Sequence, residues 1–228
     1  MKYKEVPENE ANNIWTKNHF RVFLSHNATF NEKASELKRE LKGYGICAFV
    51  EHDEIEKALL SMEAFVALVT EDFYDSDWTS QEIGFSQAFE IPRIYVDLGG
   101  GSPKGLAANI QVLKCNWNIA YKEIFETLLK FESVRNAFLD NLKDISNYLF
   151  ADEFYDCLIT FDLNKEQCDK IILAYNNNSH INGNYKFNGM SGPGIIPYLN
   201  KWTGKQYELD EANKITLSTT VSTTSSTL

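Results

Sequence analysis

From residue 20 onward the hydrophobic positions change period at regular intervals. FRVFLS (20–25), ICAFVE (46–51), EAFVALVT (63–70), IPRIYVDL (91–98) and IQVLKCN (110–116) are short β-rich runs. The third is the most apolar and is expected at the centre of a sheet. Between the runs, apolar residues recur at helical spacing. Phe30, Ala34, Leu37 and Leu41 share one face over 29–43, and Gly43 and Gly45 stop that helix. Further helices are expected over 54–62, 78–90 and 118–132. Five strands alternating with helices predict an α/β fold built on a doubly wound parallel sheet. The common strand order at this size is the flavodoxin-like 2-1-3-4-5, which opens a crevice at the carboxyl ends of strands 1 and 3. Those ends are Ser25-His26-Asn27 and the stretch from Thr70 to Asp77. Topology alone therefore predicts a ligand site there.

After residue 133 the pattern reads as helices only. Val134, Phe138, Leu142, Ile145 and Leu149 form a helical stripe. Asn164 followed by Gln167 is a capping pair opening a helix over 165–175. Residues 176–194 are loop-rich, and IIPYLNKWTG closes with a short helix. The chain is thus expected to consist of an N-terminal extension (1–19), an α/β domain (20–132), a small helical domain (133–215) and a Ser/Thr-rich disordered tail (216–228).

Composition narrows the partners. A net charge of −10 argues against nucleic acid and against an anionic membrane surface, both of which need clustered Lys and Arg. No apolar run approaches the ~18 residues of a membrane span, and the polar start MKYKEVPENEANN is not a signal peptide. The cysteines at 47, 115, 157 and 168 form no CxxC pair and read as free thiols of a cytoplasmic protein. The histidines at 19, 26, 52 and 180 lack metal-ligand spacing, so no metal is expected. GGGSPKG lacks the GxxxxGK[ST] pattern and follows the fourth strand, so it reads as a flexible connection.

The chemistry-bearing segment is Asp75-Ser76-Asp77-Trp78-Thr79-Ser80-Gln81-Glu82-Ile83-Gly84. It opens a helix just past the third strand. Trp78 and Glu82 are four apart and share a helix face. An indole can stack on a planar ring, and a carboxylate can stabilise a developing positive charge. A structural role competes: Thr79-x-x-Glu82 also fits a capping box, in which Glu82 reaches back to the helix start. Asp75, Ser76 and Asp77 offer competing caps one turn earlier; a helix that starts there has Glu82 in its second turn, free to face the crevice.

VFLSHN (22–27), ICAFVEHDEI (46–55), AFVALVTEDFYDSDWTSQEIGFSQAF (64–89) and IPRIYVDLG (91–99) together resemble a bacterial TIR (Toll/interleukin-1 receptor) domain. The resemblance spans all five strands. Its most specific pieces are the strand-1 box ending in Ser-His and the W-x-x-x-E helix. It implies an NAD+-cleaving enzyme in which Glu82 is the catalytic carboxylate and Trp78 binds substrate. It further implies substrate contacts from Ser25, His26 and Asn27 after strand 1, and from Asp53 after strand 2. Phe73 is a candidate for lining the crevice. NAD+ is then a substrate, and no cofactor is needed. The products are nicotinamide with ADP-ribose or a cyclic ADP-ribose isomer. The implied setting is antiphage immune signalling, with self-association through the TIR domain; the helical region, which carries no chemistry of its own, is expected to sense an activating partner or to drive assembly that switches the TIR domain on. One departure stands out: EHDEI runs almost directly into EKALLSM, whereas the family has a longer loop there.

Competing roles remain for the lesser candidates. His26 also fits a hydrogen-bonded strand end, Asp53 and Glu54 also fit a helix N-terminal charge effect, and Trp117 and Trp202 are expected in packing. A non-catalytic TIR scaffold acting through homotypic contacts is the alternative to the enzyme.

Overall fold

The computed structural model describes residues 13–17, 19–50, 54–100 and 112–218. They form two compact units, Met1–Asn141 and Leu142–Leu228.

In the first unit, strands β1 (Phe20–Ser25), β2 (Ile46–Phe49), β3 (Ala64–Val69), β4 (Arg93–Asp97) and β5 (Val112–Lys114) form one sheet. Its order is β2-β1-β3-β4-β5, and every pairing is parallel, as the strand–helix alternation predicts. All six residues of β3 are buried, the signature of a central strand covered on both faces. Between the strands lie α1 (Asn31–Lys42), α2 (Ile55–Ser61), α3 (Asp77–Ala88) and α4 (Ala120–Leu128). Helix α1 buries the Ala34, Leu37 and Leu41 that its period marks as one face. Register sets the faces of the sheet. Ser25 pairs with Ala67 and Ala67 with Tyr95, so these three side chains share one face. On that face Phe23 stacks on Phe49 and Phe65 at 5.6 and 5.9 Å, within a core that includes Phe73 and Ile83.

Two expectations about the edges of this unit change. Residues 1–19 are not wholly an extension, because Trp15 belongs to the core. Its indole lies 5.9 Å from Phe49 and donates to Ser61 Oγ at 2.8 Å. Helix α5 (Glu132–Asn141), assigned from sequence to the second region, belongs to the first unit. The Phe138 ring sits 5.5 Å from Phe20 and 5.3 Å from Phe125. The stripe from Val134 to Leu149 is therefore not one helix. A 3-10 turn over Leu142–Asp144 breaks it. Asn147 then caps a new helix, α6 (Tyr148–Leu158), by accepting from the backbone N–H of Leu149 and Phe150. The new helix turns Leu149 out to solvent.

The second unit continues with α7 (Lys165–Asn177), α8 (Ser179–Asn182) and α9 (Ile196–Thr203). Asn164 and Gln167 make the expected capping box at α7. The stretch read as loop is held by two buried asparagines. Asn178 donates to the carbonyls of Leu142 and Ile145 at 3.1 and 2.9 Å. Asn184 donates to Asp152 at 2.7 Å and accepts from the backbone N–H of Lys186 and Phe187. The expectation of helices only is overturned by an antiparallel hairpin of β6 (Tyr207–Leu209) and β7 (Ile215–Leu217). Three-residue strands are too short for a period of two to stand out. Asp210 closes the turn by accepting from Ala212 and Lys214, and the Asn176 amide pins Ile215 through both of its backbone groups. Residues 216 and 217 are thus strand, not tail, and 219–228 lie outside the described residues.

Most of GGGSPKG also lies outside the described residues, but Gly100 is fixed. A Cβ there would meet the Thr70 carbonyl oxygen at 2.1 Å, so only glycine fits against the end of β3. No helix among the described residues is long and apolar enough to cross a membrane.

Because Phe138 joins α5 to β1 and α4, Phe138→Ala is expected to cost the first unit about 3–5 kcal/mol. Native-state hydrogen exchange of the β1 amides measures this, and protection equal to wild type would refute the packing role.

Candidate active site

The carboxyl ends of β1 and β3 meet where the strand order reverses. Strand β1 delivers Ser25 there, 1% exposed. Strand β3 is followed by a 3-10 turn over Phe73–Asp75 and then by α3, whose N-cap is Ser76. The Thr79 hydroxyl donates to the carbonyls of Phe73 and Ser76 at 2.7 and 2.9 Å, which ties the start of the helix to the turn before it. Thr79 is thus committed elsewhere than an N-cap, and the capping-box alternative for Glu82 is not adopted. Glu82 sits in the second turn of α3 and points inward.

There Ser25 Oγ donates to Glu82 Oε2 at 2.6 Å. Glu82 is 7% exposed. Burial pushes its carboxyl up to about 7, against the opposing pull of the Ser25 hydroxyl, which favours the charged form. A carboxyl titrating near neutrality can serve as acid or base. Once ionised in a poorly hydrated site, it is also a strong stabiliser of adjacent positive charge.

The other candidates separate into distinct roles. Trp78 is 63% exposed, so its indole stands in solvent while Glu82, one turn on, is buried. The half-buried His26 ring has Nδ1 at 3.2 Å from the Leu24 carbonyl and Nε2 at 3.3 Å from Asn31 Oδ1. Asn27 caps the 3-10 turn Ala28–Phe30 by accepting from Thr29, and donates across to the Asp72 carbonyl at 2.8 Å. Phe73, a candidate for the crevice lining that also fits a loop anchor, is 0% exposed and packs in the core, so it anchors the loop and has no surface to offer a ligand. Asp53 lies outside the described residues.

One organising residue escapes sequence reasoning. Asp72 accepts from Thr70 Oγ1 at 2.6 Å and from Thr29 Oγ1 at 2.8 Å, so its carboxylate clasps the loop after β1 to the loop after β3. Those two hydroxyls hold its carboxyl below the usual range. The Thr-x-Asp spacing is visible in the chain, but the partner Thr29 is brought in only by the fold. Among the described residues no group of three His, Cys, Asp or Glu could hold a metal ion.

No protein-family model matches this chain, and no curated protein matches it.

The carboxyl of Glu82 has a consequence for stability. Its folded-state value of about 7 lies above the ordinary 4.5. Its contribution is therefore fully present below 4.5 and is lost as pH rises towards and through 7, by about 3 kcal/mol in all. Glu82→Gln, which cannot ionise, is expected to gain stability relative to wild type over that window, read from urea unfolding at a series of pH values. In Ser25→Ala the Glu82 carboxyl is expected to titrate higher still, as followed by carboxyl-carbon NMR. A parallel pair of pH–stability curves, or an unmoved titration, would refute this account.

Proposed function

We propose that the chain is a TIR-type NAD+-cleaving enzyme, an NAD+ nucleosidase or ADP-ribosyl cyclase, with Glu82 as its catalytic carboxylate. The observation that carries this reading is the buried Glu82 carboxyl, bonded to Ser25 at 2.6 Å at the strand-order reversal. Breaking the bond between nicotinamide and ribose releases nicotinamide as a neutral group. The electron pair leaves with it, and the ribose acquires oxocarbenium character. An ionised carboxylate in a dry site stabilises that cation far better than one in water. Attack by water then gives ADP-ribose, and attack by the substrate's own adenine or ribose gives a cyclic isomer. The exposed Trp78 indole offers a stacking surface for a planar ring beside the carboxylate. In this reading the protein acts in the cytoplasm in antiphage signalling, the TIR domain self-associates, and the second unit receives an activating partner.

The 63% exposure of Trp78 also favours a second reading, a TIR scaffold without catalysis, in which that indole is a homotypic contact. Self-association by light scattering that is lost in Trp78→Ala, with no NAD+ turnover, would establish it.

Incubation with NAD+, followed by mass spectrometry of the products, tests the enzyme. Nicotinamide release is expected from wild type, and Glu82→Ala is expected to lower it by about 10²–10³. Because the ionised form stabilises the cation, the rate should rise with pH through about 7. No release, together with no difference between wild type and Glu82→Ala, would sink the proposal.

A further inference from the structure

A second site lies apart from Glu82, between α1 and the segment that leads into α4. A cavity of about 150 Å³ opens there. Its floor is Leu37, buried on α1. One wall carries Glu36 and Glu40, one helical turn apart. The opposite wall carries Trp117 and Tyr121, also four residues apart, with Asn118 beside them.

Both aromatic rings are held in place. Trp117 takes the edge of Phe30 at 5.2 Å. Tyr121 packs on Tyr44 at 5.4 Å, and Tyr44 in turn packs on Phe125 at 5.1 Å. The indole already accepts a cation, since the Lys33 ammonium stands 5.7 Å from the Trp117 ring centre and 5.4 Å from that of Phe30. Among the described residues neither Glu36 nor Glu40 is in an ion pair. Two carboxylates outside any direct ion pair therefore line, together with two fixed π surfaces, a space that fits one head group. It is well below the ~300 Å³ at which pockets for larger organic ligands begin.

We infer that this cavity binds an arginine side chain from a basic segment of a partner protein. A guanidinium is planar, stacks on aromatic faces and donates to carboxylates in a fork, so it uses both walls at once. The chain's net charge of −10 steers such a segment towards it. Nothing in this inference depends on Glu82 or on NAD+.

The test uses the full chain and the peptide N-acetyl-Gly-Arg-Gly-amide, with a counterpart carrying citrulline, which keeps the shape and removes the charge. Binding is followed by NMR at the Trp117 indole N–H and the Tyr121 ring. The arginine peptide is expected to shift both signals with millimolar affinity, and the citrulline peptide to leave them in place. Glu36→Gln/Glu40→Gln, two changes at exposed positions, should weaken binding about fivefold or more. Equal binding of the citrulline peptide, equal binding by the double variant, or no shift at Trp117 would overturn the inference. So would a concentration-dependent shift of the same signals without peptide, which assigns this face to a second copy of the chain.

Discussion

A carboxyl group buried beside a sheet is unstable as an anion unless a donor meets it. The hydrogen bond from Ser25 to Glu82 is where the first unit meets that requirement. It joins the last residue of β1 to the second turn of α3, two segments far apart in the chain. Ala67 lies between Ser25 and Tyr95 in the sheet register, so the neighbour of Ser25 on the central strand is a small side chain. The bond from Ser25 is incomplete compensation. One hydroxyl offsets part of the desolvation, and the remainder appears as a carboxyl that titrates near 7.

The position of Glu82 follows from how α3 begins. If Thr79 capped the helix, Glu82 would occupy its third position and fold back on the backbone. Instead Thr79 bonds to the carbonyls of Phe73 and Ser76, and Phe73 is locked in the core. Core packing thus fixes the turn, the turn fixes where the helix starts, and the start fixes the face that Glu82 presents. Phe73 serves the site from beneath by setting this geometry, and not by touching a ligand. The Asp72 clasp does the same for the facing loop, holding Thr29 and Asn27 against the end of β3.

What could be read from the chain, and what could not, divides along the range of the interactions. The strands and the face of α1 follow from local period, and the strand order is the one common for sheets of this size; all of them are as expected. The Asn164–Gln167 box was legible because both partners lie within one turn. Trp15 was not, since its partners Phe49 and Ser61 are distant and nothing local marks an isolated tryptophan as core. The stripe from Val134 to Leu149 misled because a 3-10 turn and a fresh cap at Asn147 can interrupt a helix without disturbing the spacing of its apolar residues. In the site, the separation of Trp78 from Glu82 was equally hidden. Spacing says that two residues share a face, but neighbouring packing decides which is buried.

That separation bears on what the site can do. In the proposed NAD+-cleaving reading, a solvated indole one helical turn from a buried carboxylate divides the work of recognition from that of charge stabilisation. A planar ring can be met at the surface at little cost in desolvation. The carboxylate remains dry, where its effect on a cation is greatest. The Ser25 hydroxyl meets the Glu82 carboxyl at 2.6 Å, so any donor that approaches that oxygen competes with it. Ser25 is thus the group that keeps an ionised Glu82 tolerable at its buried position. The Asp72 clasp fixes the loop next to Ser25, because its carboxylate accepts from Thr29 on that loop and from Thr70 at the end of β3.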